Sequence, residues 1–241
     1  MNPAPTISIV ISAYNEEKYI SACLDSLKKH VMAKCKEIIV VDNNCTDRTA
    51  EIARSYGGVK VISELQKGVT RARQRGYIES TGDIIAFIDA DVLVEDGWYE
   101  KIMKKFSKDP KLMCLSGPMI YHDLNLFQKI LIWTYWHFIG YPTYLITGYM
   151  AMGGNMILRR TALEKMNGFD TSIEFYGDDT DTSKRASKFG VSVFDLSFTI
   201  KASGRRFQKQ GLFATGWVYV KNFLSQSIRG KSTKEGYEGF R

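Results

Sequence analysis

The chain has 241 residues, 44% hydrophobic and 24% charged, which is long enough to bury the core of one large α/β domain. Cys23, Cys35, Cys45 and Cys114 are scattered, with no C-x-x-C and no histidine at zinc spacing, so a zinc site is not expected and reduced thiols in a cytosolic protein are. The net charge of +7 is localised: residues 201–241 carry nine Lys and Arg against Glu235 and Glu238, which accounts for the whole excess.

The chain opens with no basic segment and apolar run ending in a small-residue cleavage site, so nothing marks it for secretion. Short β-branched runs then alternate with helical patterns, as in βαβ units around a parallel sheet. Strands are expected at Ile7 to Ser12, Glu37 to Val41, Val59 to Ser63 and Ile84 to Ile88, with helices of Glu17 to His30, Thr46 to Tyr56 and Val69 to Ser80 between them. Asn43, Asn44 and Thr46 are candidate caps of the second helix, and Gly57-Gly58 its stop. A fourth helix is expected over Asp96 to Phe106 and a further strand over Leu112 to Ser116.

From Ile130 to Leu158 there is no Lys, Arg, Asp or Glu, a length that raises a membrane span. Gly140, Pro142, Gly148 and Gly153-Gly154-Asn155 break it instead into a helix near Leu124 to Ile139, a loop, and a strand near Asn155 to Leu158. Its aromatic residues, Trp133 to Tyr144, suit a core cluster, a substrate platform or a surface lying on a bilayer. Leu212 to Ile228 has the composition of an in-plane amphipathic helix, and packing back on the domain predicts much the same pattern.

Chemistry concentrates at Phe87-Ile88-Asp89-Ala90-Asp91, where two carboxylates spaced i, i+2 emerge from an apolar run that reads as a buried strand. Gathering two anions there is costly unless a cation sits between them, and a hard divalent ion is the simplest candidate. No G-x-G-x-x-G follows the first strand and no G-x-x-x-x-G-K-[ST] occurs, so a dinucleotide fingerprint and a P-loop are both absent.

The ordered set of segments resembles family 2 glycosyltransferases of the GT-A fold. It comprises Ile9 to Glu16, Val40-Val41-Asp42-Asn43-Asn44-Cys45-Thr46-Asp47-Arg48-Thr49, Lys67-Gly68-Val69 with Arg71, Ala72, Arg73 and Gly76, Asp89-Ala90-Asp91, Gly153-Gly154-Asn155 with Arg159-Arg160, Gly168-Phe169-Asp170, and Gly177-Asp178-Asp179-Thr180-Asp181. The resemblance implies a single Rossmann-like α/β domain over about residues 1–200, with a mostly parallel central sheet and helices on both faces. Its nucleotide-binding half would cover about 1–117 and its acceptor half about 118–200, followed by a basic, aromatic helical extension over 201–241.

By that resemblance Ala13, Tyr14, Glu16 and Asp42 would contact the donor nucleoside. Lys67, Gly68 and Arg71 would approach the diphosphate at a helix N-terminus. Asp89 would sit near the ribose or metal, and Asp91 would ligate Mn2+ or Mg2+. Asp178-Asp179 stands where the family usually has Glu-Asp, which makes Asp179 the expected general base and Asp178 an acceptor-hydroxyl ligand or its supporting partner. Asp181 is read as a helix N-terminal charge and Arg73 and Arg75 as solvated helix residues. Arg205 and Arg206 would complete the clamp on the diphosphate. His30, His122 and His137 are isolated and receive no catalytic role.

The expected activity is metal-dependent, inverting transfer of a sugar from a nucleotide-sugar, with UDP-sugar the donor class, to an acceptor hydroxyl on a lipid-linked or surface glycan. The expected location is cytoplasmic, peripheral to the membrane, with no nucleic-acid partner. The chain lacks the Gln-x-x-Arg-Trp signature of processive polymerases. Rival readings are a sugar-phosphate nucleotidyltransferase, whose Gly-rich basic loop after the first strand is missing here, and a non-catalytic sugar-nucleotide or glycan-binding module.

Overall fold

The computed structural model describes residues 4–173 and 176–230. The cations Lys231, Lys234 and Arg241 and the anions Glu235 and Glu238 of the basic end lie outside the described residues. A seven-stranded sheet forms the centre, in the order β3-β2-β1-β4-β8-β6-β9. Its strands are β1 (Ile7–Ala13), β2 (Glu37–Asp42), β3 (Val59–Ser63), β4 (Ile84–Asp89), β6 (Leu112–Ser116), β8 (Asn155–Arg159) and β9 (Val191–Phe194). All neighbours pair in parallel except β8, which runs antiparallel between β4 and β6. A small second sheet joins β5 (Val92–Leu93), β10 (Ile200–Ala202) and β7 (Met119–Tyr121).

The central strands read as unbroken apolar runs because both faces are covered. Ile7, Ile9, Ile11, Ile84, Ala86 and Ile88 face a core closed by α1 (Ile20–His30), α2 (Thr49–Arg54) and α4 (Trp98–Lys108). On the other face Val10, Ile39, Val41, Ile85 and Phe87 meet α3 (Val69–Glu79), α7 (Arg160–Lys165) and α8 (Asp178–Ser187). Gly76 lets α3 press onto the sheet: a Cβ there would stand 2.2 Å from a Val10 methyl and 3.2 Å from one of Val41.

The chain winds outward from β1 to β3 and returns to β4 beside β1. That reversal opens a crevice at the carboxyl ends of β1 and β4, the place where open α/β sheets receive ligands. The expected strands all form. The first two helices start three residues later than their patterns suggest, at Ile20 and Thr49, and the fourth two residues later, at Trp98. Residues 14–17 and 43–47 form two interlocked loops instead: Asn15 Oδ1 accepts from the Thr46 amide at 2.8 Å and Thr49 Oγ1 from the Glu16 amide at 2.7 Å.

The uncharged stretch departs most from expectation. α5 (Leu126–Tyr135) begins in a capping box of Asn125 and Gln128, continues through a π-helical turn over Trp136–Gly140, and runs on as α6 (Tyr141–Thr147). The expected loop is helical because Pro142 lies in the first turn of α6, where its missing N–H costs nothing, and the stop comes at Gly148 with φ 76°. Among the described residues no helix is long and apolar enough to cross a membrane. α9 (Arg205–Gln210) and α10 (Leu212–Arg229) pack back toward α8 and the site.

Candidate active site

Asp42 ends β2 and accepts a hydrogen bond from the Cys45 amide at 2.9 Å. The Cys45 thiol donates to the Ala13 carbonyl at 3.4 Å and accepts from the Asn15 amide at 3.3 Å. The loop is thus fastened to the end of β1. Asn43 is not a helix cap: buried, it donates to the carbonyls of Glu64 and Gln66 and accepts from the Gly68 amide at 2.9 Å. This fixes the entry to α3, where Gly68 has φ 141°. Lys67 is exposed, donates to the Tyr14 hydroxyl at 2.8 Å and lies over its ring, while Arg71 bonds the Gln66 side chain.

Asp89 and Asp91 do not share one strand face. Asp89 ends β4 and Asp91 lies in the turn before β5, so each meets its own arginine. Arg73 donates to Asp89 at 3.2 Å, and Arg205 stands 3.3 Å from Asp91. Arg205 also closes a two-bonded pair on buried Glu16, at 2.6 Å for each bond, and lies over the Tyr19 ring. Asp123 holds this arginine in place by accepting from the Ser203 hydroxyl and the Gly204 amide at the start of α9. Burial pushes the Asp91 carboxyl up to about 7; Arg205 opposes this, while the charges of Asp89 and Glu16 add to it.

Arg73 corrects the expectation of a solvated helix residue. It is 3% exposed and bonds Asp178 as well as Asp89, whereas Arg75 does face solvent and pairs with Glu79 at 3.0 Å. Gly153 and Gly154 make room for this arrangement. A Cβ at Gly153 would lie 2.6 Å from the Arg73 guanidinium, and one at Gly154 would lie 2.8 Å from the Asp89 carboxylate. The signal for Arg73 was present in the sequence: its place three residues before Gly76 puts it on the same face of α3 as that close-packed glycine.

Gly177, at φ 88°, turns the chain into α8, whose first residues are Asp178 and Asp179. Burial raises both carboxyls above the ordinary range. At Asp178 the Arg73 charge opposes the rise. Asp179 is pushed up to about 7, by burial first and then by the Asp178 charge. Its oxygens accept from the Gly153 amide at 3.3 Å and the Thr180 amide at 2.7 Å. Asp181 points away to Arg185 and Gln226, at 2.8 and 3.3 Å. Arg206 donates to the Tyr219 hydroxyl at 2.8 Å and lies over the Tyr176 and Tyr219 rings.

The hard-oxygen set of Asp91 and Asp89 fits a divalent ion whose remaining ligands are phosphate oxygens and water, and the Arg205 cation already occupies the same electrostatic niche. No group of three or more His, Cys, Asp or Glu placed to hold an ion occurs among the described residues, so the protein alone does not form a closed cage.

Comparison with known proteins matches the family described as Glycosyl transferase family 2 over residues 8–166. The glycosyltransferase AglE of Haloferax volcanii is 37% identical over 103 residues, covering 40% of this chain and 34% of AglE. Glucosyl-3-phosphoglycerate synthase of Mycolicibacterium smegmatis is 34% identical over 126 residues, covering 49% of this chain and 37% of the synthase. The chain thus spans about a third of the length of these curated relatives. Among solved structures, the mannosyltransferase PcManGT from Pyrobaculum calidifontis, in complex with GDP-Man and Mn2+, superposes with a TM-score of 0.71 at 20% identity, over 96% of this chain and 67% of that one.

Proposed function

The chain belongs to glycosyl transferase family 2, and we propose that it moves one sugar from a nucleotide-sugar, of the UDP-sugar class, to an acceptor hydroxyl by direct, inverting displacement. The observation that carries this reading is the placement of Asp179 beside Asp178 at the start of α8, where Arg73 ties the pair to Asp89 at the end of β4; burial and the Asp178 charge push the Asp179 carboxyl up to about 7. A base poised near neutrality accepts a proton readily and is still ionised in roughly half of the molecules at neutral pH.

On this reading residues up to about 117 bind the donor. Ala13, Tyr14, Glu16 and Asp42 surround the nucleoside, and Lys67, Arg71, Arg205 and Arg206 face the phosphates. Asp179 takes the proton of the acceptor hydroxyl as its oxygen attacks the anomeric carbon, and Asp178, held by Arg73, orients that hydroxyl. Asp91 and Asp89 would hold Mn2+ or Mg2+, which offsets the negative charge gathering on the departing nucleoside diphosphate. PcManGT, crystallised with GDP-Man and Mn2+, supports a donor of the same general kind. The acceptor is proposed to be a lipid-linked or surface glycan, used at the cytoplasmic face of a membrane.

The test is titration calorimetry with UDP, GDP and their sugar conjugates in the presence of Mn2+, followed by a transfer assay with the donor that binds. Failure of every nucleotide to bind would end this reading. Binding without any turnover, in the presence of extracted lipid-linked acceptors, would leave a non-catalytic module.

A further inference from the structure

Helix α10 is apolar on its outer as well as its inner side, where Leu212, Tyr219 and Phe223 pack on the core clusters. The side turned to the protein carries Thr215, Asn222 and Gln226, each buried to 2% exposure or less, while Phe213, Trp217, Leu224 and Ile228 face outward at 80%, 68%, 49% and 79% exposure. At the helical 100° per residue these four fall within an arc of about 60°. An ordinary surface helix carries its apolar stripe on the core side only. The sequence favours this orientation only if something apolar covers the stripe.

The same holds for the neighbouring helical stretch. No residue of α5 or α6 is buried, and Phe127, Trp133, Phe138 and Ile146 stand 66%, 56%, 70% and 86% exposed. The two elements adjoin: Phe223 of α10 packs with Ile132, Tyr135 and Tyr144 on the cluster of Trp136, Met150 and Phe194, and its ring lies 6.4 Å from that of Tyr149. Eight large apolar side chains thus stand about half or more exposed on adjoining helical elements, where monomeric soluble proteins ordinarily scatter such residues singly.

We infer that this face lies in the plane of an anionic lipid bilayer, with α10 and the α5–α6 stretch sunk to the level of the head groups. Charge selects the occupant. Residues 196–230 contain no Asp or Glu, and exposed Lys209 and Arg229 bracket the α10 stripe. Such a rim repels a second copy docked face to face, which would set like charges together, and attracts anionic head groups. No described helix can span a membrane, so the contact is in-plane.

The inner side of α10 reaches the catalytic pocket. Tyr219 accepts from Arg206, whose guanidinium lies over Tyr176, next to the Gly177–Asp178 turn. A bilayer on the outer side therefore brings head groups toward the Asp178–Asp179 pair. That last step rests on the proposed transfer reaction; the membrane contact itself does not.

The experiment is co-sedimentation of the full chain with vesicles of phosphatidylcholine, alone or mixed with phosphatidylglycerol. Binding is expected to be at least roughly tenfold stronger to the mixed vesicles at low salt and to weaken as salt rises. The double variant Phe213→Ser, Trp217→Ser is expected to lose roughly tenfold or more of that binding with its thermal unfolding unchanged, since both side chains are exposed. Lys209→Ala with Arg229→Ala should flatten the salt dependence. Equal sedimentation of wild type and the double variant overturns the proposal, as does a wild type that stays in the supernatant with either vesicle. A dimer in solution that the double variant abolishes would assign the face to a second copy and also overturn it. UDP binding with Mn2+, measured in parallel, reports on the transfer reading alone, so each can fail without the other.

Discussion

The Arg73 guanidinium bonds the Asp178 carboxylate, 105 positions further along the chain, and so pins the first turn of α8 to α3. Asp178 is 7% exposed and Arg73 3%, so neither charge has water to fall back on. The pair aligns the two acidic residues of α8 with Asp89 at the end of β4.

Removing the cation leaves two carboxylates buried or half-buried without their partner. Arg73→Met is therefore expected to destabilise the protein by about 3–5 kcal/mol, the usual cost of breaking a buried ion pair from one side. Urea unfolding followed by circular dichroism measures it. A change within about 0.5 kcal/mol, ordinary for a surface site, would show that the pair does not hold the two segments together.

Asp179→Asn preserves size and removes the proton acceptor. Transfer should fall by roughly two to four orders of magnitude while donor affinity holds, and Asp181→Asn should change turnover little. In the wild type kcat/KM should rise with pH through about 7 as this carboxyl ionises. The linkage to stability has the opposite sign to that of a salt-bridged aspartate. The folded carboxyl titrates near 7 and the unfolded one at about 3.9, so the stability it contributes is fully present below the lower value and is lost as pH rises between the two. Asp179→Asn should therefore unfold at a higher temperature than wild type at pH 8, with the difference vanishing toward pH 4. A wild-type melting temperature closer to that of the variant at pH 8 than at pH 5 would contradict the assignment.

Nucleotide binding should need a divalent cation. Calorimetric titration with UDP is expected to show binding with Mn2+ and roughly tenfold or greater loss with EDTA, and Asp91→Asn should lose the dependence along with the affinity. Equal affinity in all three conditions would remove the metal from Asp91.

Gly76→Ala tests packing alone. The new methyl meets Val10 and Val41 with no free volume, so overpacking should cost about 1–3 kcal/mol in chemical denaturation. An unchanged midpoint would mean that α3 can lift from the sheet without penalty.

The sheet was legible because both faces of its centre are buried, so β1, β2, β4 and β6 each appear as an apolar run between polar turns, while the edge strand β3 shows only through its β-branched Val59, Val61 and Ile62. The short strands β5, β7 and β10 were not, since two or three residues carry no period, and the helical run after Trp136 was masked by Pro142, which reads as a breaker when its place in a first turn is unknown. Asp89 and Asp91 stand out by residue type and spacing, and Asp178 and Asp179 by the family resemblance. Their partners do not. Gly76 on the same face of α3 hints that Arg73 turns inward, but the room it occupies depends on Gly153, 80 residues away, and Arg205 reaches Glu16 across 189 positions. Likewise, an apolar stripe on α10 was visible in the sequence, but only tertiary placement reveals that it faces outward.

Strand β8 re-enters the centre of the sheet only after the proposed donor residues from Ala13 to Asp91 are laid down, and Arg205 and Arg206 join them from the far end of the chain. The carboxylates proposed to act on the acceptor also lie beyond β8. Arginine-to-carboxylate pairs, Arg73 with Asp178 and Arg205 with Glu16 and Asp91, tie the two blocks together at the site. On the proposed roles, such a division would let the later block change its acceptor surface while the earlier one keeps its donor contacts, so long as these two arginines keep their partners.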